Sequence, residues 1–103
     1  MTSADILIAA RARLTPETWG KGHDIRAPTG GRECILVAIG KVASVEERPD
    51  TWVLLAECAT GNRYADIGGW NDAPERTLAD VHALFDAAIA IAQQREVSAA
   101  VPA

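Results

Sequence analysis

Aromatic residues are scarce in this sequence: five in 103, three of them tryptophan. With so few large rings available, Trp19, Trp52 and Trp70 are expected to anchor the core, since each indole can bury a large area. Long apolar runs are missing too. None approaches the roughly 20 residues needed to span a bilayer, and the N-terminus lacks the basic segment, apolar run and small-residue site of a signal peptide. These absences predict a soluble, cytoplasmic protein with no membrane partner. Lys and Arg form no cluster, so the electrostatic footprint of a nucleic-acid binder is absent and no nucleic acid is expected. The two cysteines, Cys34 and Cys58, are too few for a disulfide framework and lack CxxC spacing. Both sit among apolar neighbours, CILVAI and LLAECA, which reads as small core side chains rather than a bridge or a metal pair. No internal repeat or low-complexity segment is evident.

What remains is ordinary globular composition, 49% hydrophobic and 23% charged, enough for one small domain with one core. The net charge of −4 is uneven. Residues 1–48 balance at +1 and residues 49–103 at −5, a mildly acidic solvated surface that favours solubility.

Four segments read as helices. Thr2 with Asp5 three residues later has capping-box form, and Ile6, Leu7, Ala10 and Leu14 then share one face, with Arg11 and Arg13 off it. Thr15 and Pro16 start a turn that delivers Trp19 to the core. Gly20 to Arg32 (GKGHDIRAPTGGR) has no periodicity and is a long loop, and its GKG lacks the spacing of a phosphate cradle. Glu33 to Val45 and Thr51 to Gly61 are apolar nearly all round. Periodicity alone leaves them as two helices or as a central β-hairpin over residues 34–59. Their Ala and Leu content, Asp50 as an N-cap and Gly61 as a C-terminal stop favour helices, with residues 34–44 at the centre of the fold. The last helix opens at Thr77, with Asp80 completing a second capping box. Leu78, Val81, Phe85, Ala88, Ile89 and Ala92 form its apolar stripe, which Leu84 and Ile91 widen. The expectation is therefore an all-α bundle of about four helices over residues 1–94, with a disordered tail over 95–103. The alternative is an α+β fold built on the hairpin.

The most organised stretch is GGWNDAPERTLADV, Gly68 to Val81. Asn and Asp favour turns because their side chains bond nearby backbone, and Arg76 can pair with Asp72 or Glu75. That describes a structural corner. That structural reading is the favoured one; Trp70, Asn71, Asp72 and Arg76 are also the candidate binding residues, displayed beside a helix start. A chemical alternative uses Cys34 as a nucleophile lowered in pKa by a helix N-terminus, His82 as base, and Asn71 or Asp72 as its orienter. Asp72, Glu75, Asp80 and His82 could in principle gather a metal. They follow no recognised ligand spacing, and acidic residues near a helix start answer to its dipole, so neither metal nor cofactor is expected.

Trp70-Asn71-Asp72 with Pro74, Arg76, Thr77 and Val81 resembles the terminal Trp-Asn-Asp-x-Pro-x-Arg-Thr segment of a family of small bacterial and phage proteins classed as a domain of unknown function. Cys34, Ala38 and Ile39 match that family's central Cys-x-x-Gly-Ala-Leu helix, with Val37 where the family has Gly, and Trp19 matches its upstream Trp. The resemblance implies a helical fold of bacterial, phage or prophage origin and no particular activity. Together these features suggest a small non-enzymatic binding or regulatory accessory protein, whose partner is another protein or a second copy of the chain. The alternative is a cysteine-dependent hydrolase or transferase centred on Cys34.

Overall fold

The first helix begins where the capping box places it. Thr2 Oγ1 accepts from the backbone N–H of Asp5, and the Asp5 carboxylate accepts from that of Thr2. In the computed structural model, which describes residues 1–22 and 31–100, this helix is the first of five among the described residues. They are α1 (Ser3–Arg13), α2 (Ile35–Val42), α3 (Arg48–Thr60), α4 (Ile67–Asp72) and α5 (Leu78–Ala100). The fold is all-α. Both halves of the alternative hairpin are helical, and among the described residues extended pairing is limited to a parallel bridge between Trp19 and Glu33. Residues 23–30, which include His23 and most of the long loop, and residues 101–103 lie outside the described residues.

The core is aliphatic around one ring. Ile6, Leu7, Ile35, Ile39, Leu55 and Phe85 are all essentially inaccessible. None of the three tryptophans is among the buried residues; each packs against the core from its rim. An indole carries a polar edge that needs a partner or water, and at the rim it finds one more readily than in a core of aliphatic side chains. Helix α1 packs on α2, α3 and α5, and the eight-residue α2 packs on α1, α3 and α4, burying Ile35, Ala38 and Ile39 and leaving Leu36 and Val37 half-buried. The stripe of α5 is buried at Val81, Leu84, Phe85, Ala88 and Ala92, but Ile91 is exposed.

Helix boundaries follow from local chemistry with some shifts. Cys34 occupies the N-cap of α2 and makes no capping bond. Helix α3 starts earlier than an Asp50 cap would allow: Glu47 is its N-cap, Pro49 lies in its first turn, and Asp50 sits inside that turn near the positive end of the dipole. Arg48 joins the two helices by donating to the carbonyls of Gly40 (2.9 Å) and Ala43 (3.2 Å), two of the unpaired acceptors at the end of α2. Gly61 ends α3 at φ 80°, the left-handed conformation that a side chain resists. Helix α5 begins on the Thr77–Asp80 box and continues past Gln94 to Ala100. The Glu96 carboxylate accepts from the Ala4 backbone N–H at 3.2 Å, tying the far end of α5 to the start of α1.

Candidate functional site

The Gly68–Asp72 stretch, which its composition suggests is a loop, is helical. Helix α4 is six residues long and contains two glycines, so propensity alone would not sustain it. Tertiary contacts with α2 and α3 hold it, and its C-terminal end carries Asn71 into the interior.

Asn71 is fully buried. Its Oδ1 accepts from Trp19 Nε1 at 2.8 Å and from the Ile35 backbone N–H at 3.3 Å. Its Nδ2 donates to the Gly20 carbonyl at 3.1 Å and to Asp72 Oδ1 at 3.0 Å. An amide side chain offers two donors and two acceptor lone pairs, so nothing on Asn71 is left for a ligand. The Ile35 contact also repairs a local defect. Cys34 is a poor N-cap, and Asn71, arriving from a different helix, accepts one of the orphan N–H groups at the start of α2.

Around Asn71 the chain closes into a clasp. Asp72 Oδ1 accepts from the Gly22 backbone N–H at 2.9 Å. A Cβ on Gly22 would sit 2.8 Å from the other Asp72 oxygen, so a larger residue there would make the Asp72 carboxylate turn. Lys21 Nζ donates to the carbonyls of Ala73 (2.7 Å) and Pro74 (3.1 Å). Arg76 folds back over Trp70, its guanidinium 3.7 Å from the ring centroid, and donates from Nε to the Trp70 carbonyl at 2.9 Å. The expected pairing of Arg76 with Asp72 or Glu75 is replaced by this stack on the neighbouring indole. On the other side Glu33, itself buried, takes both arms of Arg13 at 2.9 and 3.0 Å and has Lys41 at 3.4 Å. The Arg13 hydrogen bonds are the main cause holding the Glu33 carboxyl below its ordinary range.

The remaining candidates go elsewhere. Cys34 is buried. The nearest link between it and the candidate residues is the bond from Asn71 to the backbone of the next residue, Ile35. His82 Nε2 lies 2.6 Å from the Leu14 carbonyl at the end of α1. Among the described residues no hydrogen bond joins Cys34, His82 and the Asn71–Asp72 pair, and no cluster of three or more His, Cys, Asp or Glu side chains could hold a metal ion. Cys58 is half-buried, and burial pushes its thiol pKa up.

Two open grooves lie on another side of the molecule, along α3. One, of about 630 Å³, runs between α3 and the C-terminal half of α5, over Val53, Leu54, Ala92 and Ala99. The other, of about 290 Å³, lies between α3 and the segment leading into α4, and is walled by Trp52, Leu36, Ala65 and Ile67. They share Pro49, Val53 and Arg63. Neither is lined by Cys34, His82, Asn71 or Asp72. Tyr64, at the rim of the second, is 85% exposed, with the Arg63 guanidinium 5.6 Å from its ring centroid. The Trp52 indole Nε1 is enclosed and has no hydrogen-bond partner. The sequence does carry a signal for this face: Pro49, Val53 and Glu57 recur at a spacing of four, one side of a helix. It is masked because α3 is apolar nearly all round.

Among the described residues, no helix is long and apolar enough to cross a membrane. No curated protein and no solved structure matches the chain. A family model described as a family of unknown function, DUF6197, matches residues 1–91, which covers every helix named above up to Ile91 in α5. The chain therefore belongs to that family of unknown function.

Proposed function

We propose that this chain is a small accessory protein that works by binding rather than by catalysis, and that it binds through the side of α3 rather than through the Trp-Asn-Asp segment. The observation that carries this reading is the bonding of Asn71. All of its hydrogen-bonding capacity is consumed inside the molecule, which makes the segment a fastening for the chain around Gly20–Gly22. The side of α3 offers what the clasp does not: apolar floor, an exposed Tyr64, and Trp, Tyr and Arg side chains close together. Those residue types supply most of the binding energy where proteins meet, and a continuous exposed apolar surface marks an interaction site.

The cysteine-enzyme reading requires a reactive thiol, and a buried Cys34 with neither His82 nor an acidic group bonded to it does not favour one. Two measurements on the intact protein test the proposal. A photo-crosslinking amino acid at position 53, on α3, should give an adduct with another protein or a second copy in cells. The same group at position 83, on the exposed face of α5, should give none. Equal adducts at both positions, or none at 53, would remove the α3 face from the proposal. Alkylation of Cys34 faster than in an unfolded peptide would restore the nucleophile.

A further inference from the structure

We infer that the α3 face takes a cationic amphipathic helix of a partner protein. This rests on the binding reading above and names the chemistry of its occupant.

Shape comes first. Both grooves include Pro49, Val53 and Arg63, so they adjoin along one side of α3. The α3 residues that line the grooves run from Pro49 to Glu57, so the lined stretch is about 13 Å long at 1.5 Å per residue. That length matches about two and a half turns of a docked helix, enough to present anchors at i, i+3, i+4 and i+7. Apolar side chains would seat on either side of Val53, against Trp52 and Ile67 on one flank and Leu54 and Ala92 on the other.

Charge selects the occupant. The lining carries four carboxylates, from Asp50, Glu57, Asp66 and Glu96, against two guanidinium groups, from Arg63 and Arg95. Both positive groups already have local neighbours. Arg63 lies over Tyr64. Arg95, on α5, lines the same groove as Glu57 and Glu96. Asp50 and Asp66 are exposed at the two flanks with no cation paired to either among the described residues. A helix with Lys or Arg flanking an apolar stripe complements this rim, and an acidic helix is repelled by it. The same sign runs through residues 49–103 as a whole, which balance at −5.

The test uses two 14-residue amphipathic peptides with identical leucine spacing, one with lysine at every polar position and one with glutamate. Each is titrated into the full chain, following the Trp52 indole N–H resonance by NMR. The lysine peptide should move that resonance while leaving the Trp19 indole unmoved, and should bind at least tenfold tighter than the glutamate peptide. Its affinity should fall as salt rises. Asp50→Lys with Asp66→Lys should weaken it at least tenfold, and Glu17→Lys with Glu75→Lys, the same change in charge at exposed positions outside both grooves, less than twofold. Equal affinity for the two peptides, preference for the glutamate peptide, an equal loss in the double variant at Glu17 and Glu75, or no binding at millimolar peptide would each overturn the inference. Crosslinking from position 53 reports independently on whether the face is used at all. A crosslink together with preference for the glutamate peptide would keep the docking face and reject its chemistry.

Discussion

Two sides of this molecule use tryptophan in opposite ways. In the clasp, Trp19 donates its indole N–H to a fully buried Asn71 and Trp70 lies under the Arg76 guanidinium. Along α3, Trp52 is enclosed at its nitrogen, has no acceptor, and walls an open groove beside a bare Tyr64. The clasp satisfies its polar groups internally, as buried structure must. The α3 side leaves the Trp52 N–H without a partner and apolar side chains lining open grooves. The contrast shows that a conspicuous motif can be conspicuous for architecture. Trp-Asn-Asp draws the eye because its polar residues sit beside an indole, and their proximity to it has a structural cause.

The sharpest way to break this contrast is Asn71→Ala. It strips partners from Trp19 Nε1, the Ile35 N–H and the Gly20 carbonyl together. A buried group left unpaired costs about 1–3 kcal/mol, and partial rehydration of the site offsets some of the sum. A net loss of about 3 kcal/mol is expected from urea unfolding, a large part of the stability of so small a domain. An unchanged midpoint would mean that the clasp is not a fastening.

Next in size is Glu33, which joins the clasp to α1. Its carboxyl is depressed below the ordinary 4.5, first by the Arg13 hydrogen bonds. A depressed folded-state pKa contributes stability that is whole above the unfolded value and lost as pH falls through the folded one. Stability should therefore decline as pH drops below about 4.5, and Glu33→Gln should flatten that decline. Glu47, held at about 2 chiefly by the Ser44 backbone N–H, contributes to the same acid limb, so the variant's decline should shrink without vanishing. At neutral pH the Glu33→Gln cost should be about 1.5 kcal/mol, moderated by the partial exposure of Arg13. Unfolding curves from pH 3 to 7 would check both statements.

Thr77→Ala calibrates the comparison at a site whose chemistry is purely local. Loss of the cap should cost about 1 kcal/mol in the denaturant midpoint. It should lower stability without touching peptide binding at α3.

The smallest effect should come from Trp52→Phe. It removes a donor that has no partner and keeps most of the ring. The relief of an unsatisfied group and the loss of packing oppose each other, so stability should stay within about 1 kcal/mol of the parent in thermal melts. A loss as large as that of Asn71→Ala would show that Trp52 is structural, and the two sides would no longer differ.

What the sequence determined by itself was local. Both capping boxes, Thr2 with Asp5 and Thr77 with Asp80, act within three residues and form as their spacing dictates. The left-handed stop at Gly61 and the α1 face of Ile6, Leu7, Ala10 and Leu14 depend only on backbone freedom and on the helical period. Together with composition these favour an all-α chain, and the structure decides against the hairpin alternative over residues 34–59. What only the tertiary structure decided was every partnership across distance. Asn71 meets a tryptophan 52 residues away, a separation that carries no periodicity to read. Helix α4, Ile67–Asp72, forms despite its two glycines because α2 and α3 hold it, so propensity misses it. His82 could be placed at the edge of its stripe, but its contact with the Leu14 carbonyl depends on how α1 and α5 cross. The side of α3 looked like core because its composition is apolar nearly all round. Which of those side chains stayed uncovered was settled by where the neighbouring helices end, since burial belongs to the packed assembly and not to the residue alone.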